Sequence, residues 1–163
     1  MNLAQTSYSS PTKEMIFNST VVCVTNQRQC ERLIKAGRVI ANIAKTPLTV
    51  ISVVNPKSAH NDTDALEYLF DVSKQNNAVM ALQYSTNPLA CIEDFIRENK
   101  AKNVVTGMRE GENSILTKLW TSFKDATFFT VTMDGEVLRN DAAAPVLHLN
   151  NAIAEREEAL QCR

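Results

Sequence analysis

Glycine is scarce in this chain of 163 residues: there are four, too few and too scattered to assemble a glycine-rich phosphate loop of the P-loop or dinucleotide-binding kind. Histidine is scarcer, with only His60 and His148, far apart in sequence. None of the cysteines Cys23, Cys30, Cys91 and Cys162 forms a CxxC pair, so no zinc spacing exists and no metal is expected. Isolated reduced thiols are the simpler reading, with Cys23 a small hydrophobe inside an apolar run. No apolar run reaches the ~18–20 residues that span a bilayer, and the first twenty residues lack the basic start and apolar core of a signal peptide. A cytoplasmic location without membrane contact is the expectation. A net charge of −1 argues against nucleic acid as a partner. Also missing are a G-x-S-x-G elbow and an H-E-x-x-H helix, and the acidic residues a phospho-receiver needs are replaced by Thr25-Asn26 and Tyr84-Ser85. Enzymatic activity is therefore not expected.

What is present is alternation. Residues 1–19 are polar and read as a lead-in. Val21-Val22-Cys23-Val24-Thr25 is a β-branched run suited to a strand buried on both faces. Gln29 to Ala44 carries Leu33, Ala36, Ile40 and Ile43 at helical spacing. Leu48 to Val54 is a second strand, and Asn61 to Asp64 offer N-cap chemistry for a helix with Leu66, Leu69, Phe70 and Ser73 on one side. Ala78 to Tyr84 is a weaker strand. Asn87-Pro88 supplies an N-cap and a proline at the first helical position. A fourth strand, Asn103 to Thr106, ends at Gly107. Ser114 to Phe123 predicts a short helix with Leu116, Leu119, Trp120 and Phe123 inward, and Thr127 to Thr132 a fifth strand. Asp134-Gly135 matches a two-residue hairpin turn, with Glu136-Val137-Leu138 returning antiparallel. The divisions are a lead-in over 1–19, an α/β domain over 20–133, and a hairpin return and tail over 134–163.

Strands alternating with crossover helices imply right-handed βαβ units and an open, mostly parallel sheet. In such a sheet, ligands sit beyond the carboxyl ends of the strands where strand order reverses. Two segments can meet there. One is Thr25-Asn26-Gln27 after the first strand; the other is Thr106-Gly107-Met108-Arg109-Glu110-Gly111 after the fourth. Glycine lets the backbone approach a ligand, a helix N-terminus favours anions, and Arg109 offers a charge-assisted contact to phosphate. An ordinary strand-to-helix turn with a solvated arginine is the competing reading.

Val22-Cys23-Val24, followed by Glu31-Arg32-Leu33-Ile34-Lys35, resembles the opening of universal stress proteins. It is most similar to the universal-stress module of KdpD-type osmosensitive potassium sensor kinases. The resemblance runs from about Ser19 to Thr132. It implies an α/β fold with a doubly wound five-stranded sheet in order 3-2-1-4-5, here with an antiparallel C-terminal hairpin added. It also implies dimerisation through the fifth-strand edge, where Phe128-Phe129 would need a cover, and in some members a bound ATP or AMP.

The nucleotide-binding members carry Gly, two residues, Gly, nine residues, then Gly and Ser or Thr after the fourth strand. Gly107 fits the first glycine, and Gly111 stands beside Glu110, where the second is due. Counting on from Gly111 reaches Thr121, in place of the last glycine, and Ser122. The implied nucleotide-binding residues are Thr25, Asn26, Gln27 and Val53 on one side, and Gly107, Arg109, Gly111 and Ser122 on the other. Cyclic di-AMP, bound by some KdpD-type modules, ranks behind ATP and AMP. Thr49 matches that pattern, but the Phe and Tyr that would stack the bases are missing from Leu48 to Ser52. The functional expectation is a cytoplasmic regulatory protein holding an adenine nucleotide at the ends of strands one and four. The alternative is a dimerising interaction module without nucleotide, working with a regulatory protein partner in stress or potassium and osmotic signalling. Glu110, Thr121 and the missing acidic residue at Thr25-Asn26 favour that alternative.

Overall fold

The β-branched runs become the middle of one sheet. In the computed structural model, which describes residues 18–58, 62–107, 115–141 and 145–150, β1 (Ser19–Val24) lies between β2 (Leu48–Val54) and β4 (Ala101–Gly107). Outside these lie β3 (Val79–Tyr84), next to β2, and β5 (Thr127–Val131), next to β4; all five are parallel. The sheet continues antiparallel through β6 (Glu136–Arg139) and β7 (Leu147–His148), giving the order β3-β2-β1-β4-β5-β6-β7. The expected α/β architecture, strand order and returning hairpin are all present. The short β7 follows a stretch with no strand pattern, and only its pairing with β6 makes it a strand.

Helices cover both faces. α1 (Glu31–Ala44) and α2 (Thr63–Gln75) lie over one, α3 (Pro88–Glu98) and α4 (Ile115–Ser122) over the other. Adjacent strand residues point to opposite faces. Val22 accordingly packs with Leu33, Ile34 and Leu69, whereas Val21 packs with Ile51 and Phe95. Burying side chains of this kind is worth about 1.5–3 kcal/mol each, which is why the apolar runs find the centre. Gly37 fixes how closely α1 approaches the sheet: a Cβ there would meet Val22 Cγ2 at 2.4 Å. The caps form as their residue types dictate, with Asp62 Oδ1 accepting from the Ala65 N–H at 3.0 Å and Asn87 Oδ1 from the Ala90 N–H at 3.2 Å.

Three expectations change. The Asp134-Gly135 turn is not a two-residue hairpin: Thr132 pairs with Glu136, so the loop is 133–135, closed by Gly135 N–H to Thr132 O at 3.1 Å with Gly135 at φ 92°. The Thr132 hydroxyl, rather than its carbonyl, accepts from Glu136 N–H, which leaves the carbonyl for other donors. The fifth-strand edge proposed for dimerisation is taken, because β6 of the same chain pairs with Phe129, Thr130 and Val131. Finally, Ile43 is 73% exposed and Phe70 and Trp120 are each 37% exposed, so these three sit off the inward stripes of their helices.

Candidate functional site

Strand order reverses between β1 and β4. The helix after β1 leaves over one face and the chain after β4 over the other, which opens a cleft at their carboxyl ends. A cavity of about 270 Å³ occupies this place. Its walls come from both faces of the sheet. Cys23, Val24 and Thr25 close β1; Gln27, Gln29 and Cys30 form the tight turn into α1; Arg32 and Leu33 belong to the first turn of α1. Ile92 of α3, Thr106 and Gly107 of β4, and Leu116 and Leu119 of α4 line the far side, with Met133 of the hairpin loop at the rim.

The wall mixes apolar side chains with the neutral polar Thr25, Gln27, Gln29 and Thr106, and among the described residues it carries a single charge. Among the described residues that line it there is no aspartate or glutamate, and Arg32 carries the one charge. Its guanidinium is fixed by main-chain carbonyls: Nε donates to Thr132 O at 3.0 Å, Nη1 to Gln29 O at 2.8 Å and Nη2 to Val131 O at 3.4 Å. A Cβ at Gly107 would come 3.5 Å from Arg32 Nη2, an ordinary van der Waals contact, so the end of β4 lies directly beside the guanidinium. The carboxylate next to it in sequence, Glu31, faces elsewhere. It pairs with Lys35 at 2.8 Å and accepts from Tyr68 Oη at 2.5 Å, and those two hydrogen bonds, Lys35 first, hold its pKa below the ordinary glutamate value. The same bond raises the Tyr68 phenol. Arg28 stacks on the Tyr68 ring at 4.6 Å, so the turn forming one wall is braced against α2. Thr106 is buried, and its hydroxyl has no hydrogen-bond partner among the described residues. Desolvation pushes the Cys23 thiol up to about 12, so it is neutral and unreactive at physiological pH.

Of the residues named from sequence, Thr25, Gln27 and Gly107 meet in this wall, and Asn26 is partly buried between the first two. Val53 does not join them; it packs beside Val21, Ile51 and Phe95. Arg109 and Gly111 lie outside the described residues. Ser122 is a correction. α4 begins at Ile115, so Thr121 and Ser122 fall in its last turn, about 10 Å along the axis from its start. Thr121 donates to Thr117 O at 2.9 Å, and Ser122 lines a second hollow at the opposite edge of the sheet with Lys100, Lys102 and Lys124.

Sequence reasoning missed Arg32, Gln29, Cys30 and Met133. Arg32 was available: topology alone puts the first turn of the helix after β1 at the switch point. Met133 was not, since its place depends on a hairpin folding back over the cleft. Among the described residues, no group of three or more His, Cys, Asp or Glu is placed to hold a metal ion, and no helix is long and apolar enough to cross a membrane.

This is the doubly wound, switch-point architecture of the universal stress protein fold. A universal stress protein from Archaeoglobus fulgidus superposes with TM-score 0.54 at 17% identity, over 74% of this chain and 96% of that one. The structure of the Archaeoglobus fulgidus universal stress protein in complex with dAMP gives 0.51 at 19% identity, over 72% and 98%. A universal stress protein in complex with cAMP gives 0.53 at 16%, again over 72% and 98%. No family model and no curated protein sequence matches the chain.

Proposed function

We propose that this chain is a universal-stress-like regulatory protein of the cytoplasm that binds an adenine nucleotide in the cleft over β1 and β4 and works by binding, not turnover. The observation that carries this reading is the position of the cavity. It lies at the switch point, bounded by Thr25, Gln27 and Gly107, in a fold shared with universal stress proteins solved with cAMP and with dAMP. AMP and ATP are the first ligands to try, and cyclic di-AMP follows them. The KdpD-type kinship and a role in potassium or osmotic signalling rest on the opening strand and helix, and belong to the same proposal.

One observation favours the second reading, a nucleotide-free interaction module: Thr121 and Ser122 stand at the wrong end of α4 to serve a phosphate at Gly107. Any homodimer in that reading uses a surface other than the β5 edge, which β6 occupies.

Thermal unfolding of ligand-stripped protein against AMP, ATP and cyclic di-AMP separates the two readings. A ligand at ~100 times its dissociation constant stabilises the native state by about 2.7 kcal/mol, a rise on the order of 5–10 °C for a chain of this size. A rise with an adenine nucleotide that Gly107→Val abolishes, with the variant's own midpoint close to that of the native protein, is the expected result. A flat response to all of them would sink the nucleotide reading and leave the interaction module.

A further inference from the structure

Among the described residues, Arg32 is a cation without a carboxylate partner. A guanidinium has five N–H donors and is charged at any physiological pH. Here its three hydrogen bonds go to neutral carbonyls, those of Gln29, Val131 and Thr132. The carboxylate nearest in sequence, Glu31, is engaged by Lys35 and Tyr68. No aspartate or glutamate among the described residues lines the cavity that Arg32 shares. A half-buried positive charge with donors left over, in a wall whose other described side chains are uncharged, attracts an anion more strongly than the same charge in water. Its side chain is also already ordered by carbonyls contributed from two distant parts of the chain, so binding loses little rotamer freedom.

A second observation points the same way. The Thr106 hydroxyl, 4% exposed as a residue, belongs to the same wall and has no hydrogen-bond partner among the described residues. A buried hydroxyl left unpaired is unfavourable, and a ligand oxygen or nitrogen relieves it. Gly107, next to Thr106 at the end of β4, lines the same cavity, and a Cβ there would stand 3.5 Å from Arg32 Nη2 in ordinary contact.

The geometry points to Arg32 as the anion-recognising residue of this cleft, taking the phosphoryl group of a nucleoside monophosphate without a bridging metal ion. This deepens the proposed nucleotide reading and rests on it for the nucleoside half. The monophosphate follows from charge: one guanidinium fork matches one phosphoryl group. Longer phosphate chains usually arrive with Mg²⁺, which is held by carboxylates that the described wall lacks.

Calorimetry at fixed ionic strength, with adenosine, AMP and inorganic phosphate as probes, tests this on the native protein before any variant is made. AMP is expected to bind about 10-fold or more tightly than adenosine, as charged hydrogen bonds of this kind imply. That ratio should be the same in EDTA and in magnesium. Arg32→Gln should bring AMP down to the adenosine level while leaving adenosine unchanged, and Arg32→Lys, keeping charge but losing the fork, should fall between. If AMP and adenosine bind native protein equally, the role of Arg32 is overturned and the nucleotide reading stands. If neither binds but inorganic phosphate raises the unfolding midpoint of the native protein and not of Arg32→Gln, the anion site stands and the nucleotide reading falls. No response to any probe overturns both. The AMP-to-adenosine ratio decides the matter even if Arg32→Gln fails to fold.

Discussion

Gly37 sits in the middle of α1, where glycine is usually a liability, about 1 kcal/mol worse than alanine. Replacing it should therefore help on propensity alone. Packing says otherwise, because the added methyl would meet Val22 Cγ2 at 2.4 Å and Leu48 Cδ1 at 3.1 Å. Valine has little rotamer freedom with which to yield, and both partners are buried. Overpacking of this kind is destabilising by about 1–3 kcal/mol, and with no cheap relaxation open to Val22 the upper part of that range applies. Gly37→Ala should lose about 1–2 kcal/mol net, a fall of roughly 2–8 °C in a thermal melt. An unchanged or higher midpoint would mean that α1 can lift away from the sheet. Cys23 makes a second test at this scale. Its folded thiol keeps its proton up to about 12, while the unfolded chain releases it near the ordinary thiol value of 9.0. Between those values the unfolded state binds fewer protons, so stability falls as pH rises, by up to ~1.4 kcal/mol per pH unit from this group. Denaturant titrations of native protein and Cys23→Ala at pH 8 and pH 10.5 should show a steeper loss in the native protein; parallel losses would place the thiol in contact with water.

Among the elements, the β5–β6 hairpin ties fold to site. Its loop 133–135 turns on Gly135 at φ 92°, a region in which an alanine is strained by about 1–2 kcal/mol. The same turn presents the Thr132 carbonyl to Arg32 Nε. Gly135→Ala is expected to lower the unfolding midpoint and to speed exchange of the Thr132 amide, which donates to Glu136 O at 2.9 Å. Slow exchange in the variant would show that the loop tolerates a side chain. This element also marks the limit of what sequence could tell. Val21 to Val24 and Leu48 to Val54 were legible because β-branched apolar runs have one good place to go, the centre of a parallel sheet. The starts of α2 and α3 were legible because Asp62 and Asn87 cap locally. The place of Arg32 at the switch point was legible from topology, but its role was not, since an arginine in the first turn of an amphipathic helix ordinarily reads as solvated. Its role comes from carbonyls at Val131 and Thr132, about a hundred residues along the chain. Ser122 was misplaced for the converse reason: a spacing rule carried over from the resemblance does not say at which end of α4 a residue stands.

At the scale of the whole molecule, the boundary drawn before residue 134 is crossed by both sheet and core. β6 completes the hydrogen bonding of β5, and Val137 and Leu149, 0% and 4% exposed, join the same cluster as Val22, Val105 and Val131. Leu149 N–H also donates to Gly135 O at 2.7 Å, fastening β7 to the hairpin loop. Removing residues 134–163 would leave Phe129, Thr130 and Val131 with an open row of main-chain donors and acceptors, an invitation to pair with another chain. Thr132 would also lose the hairpin closure that positions its carbonyl for Arg32. The shortened chain is expected to unfold at lower temperature, to gain mass with concentration in light scattering well beyond the intact chain, and to lose any AMP response the intact chain has. The order of these losses carries the argument. Association without loss of the AMP response would confine the hairpin to covering an edge, whereas loss of the AMP response in the fraction that stays monomeric would make β6 and β7 part of the binding site itself.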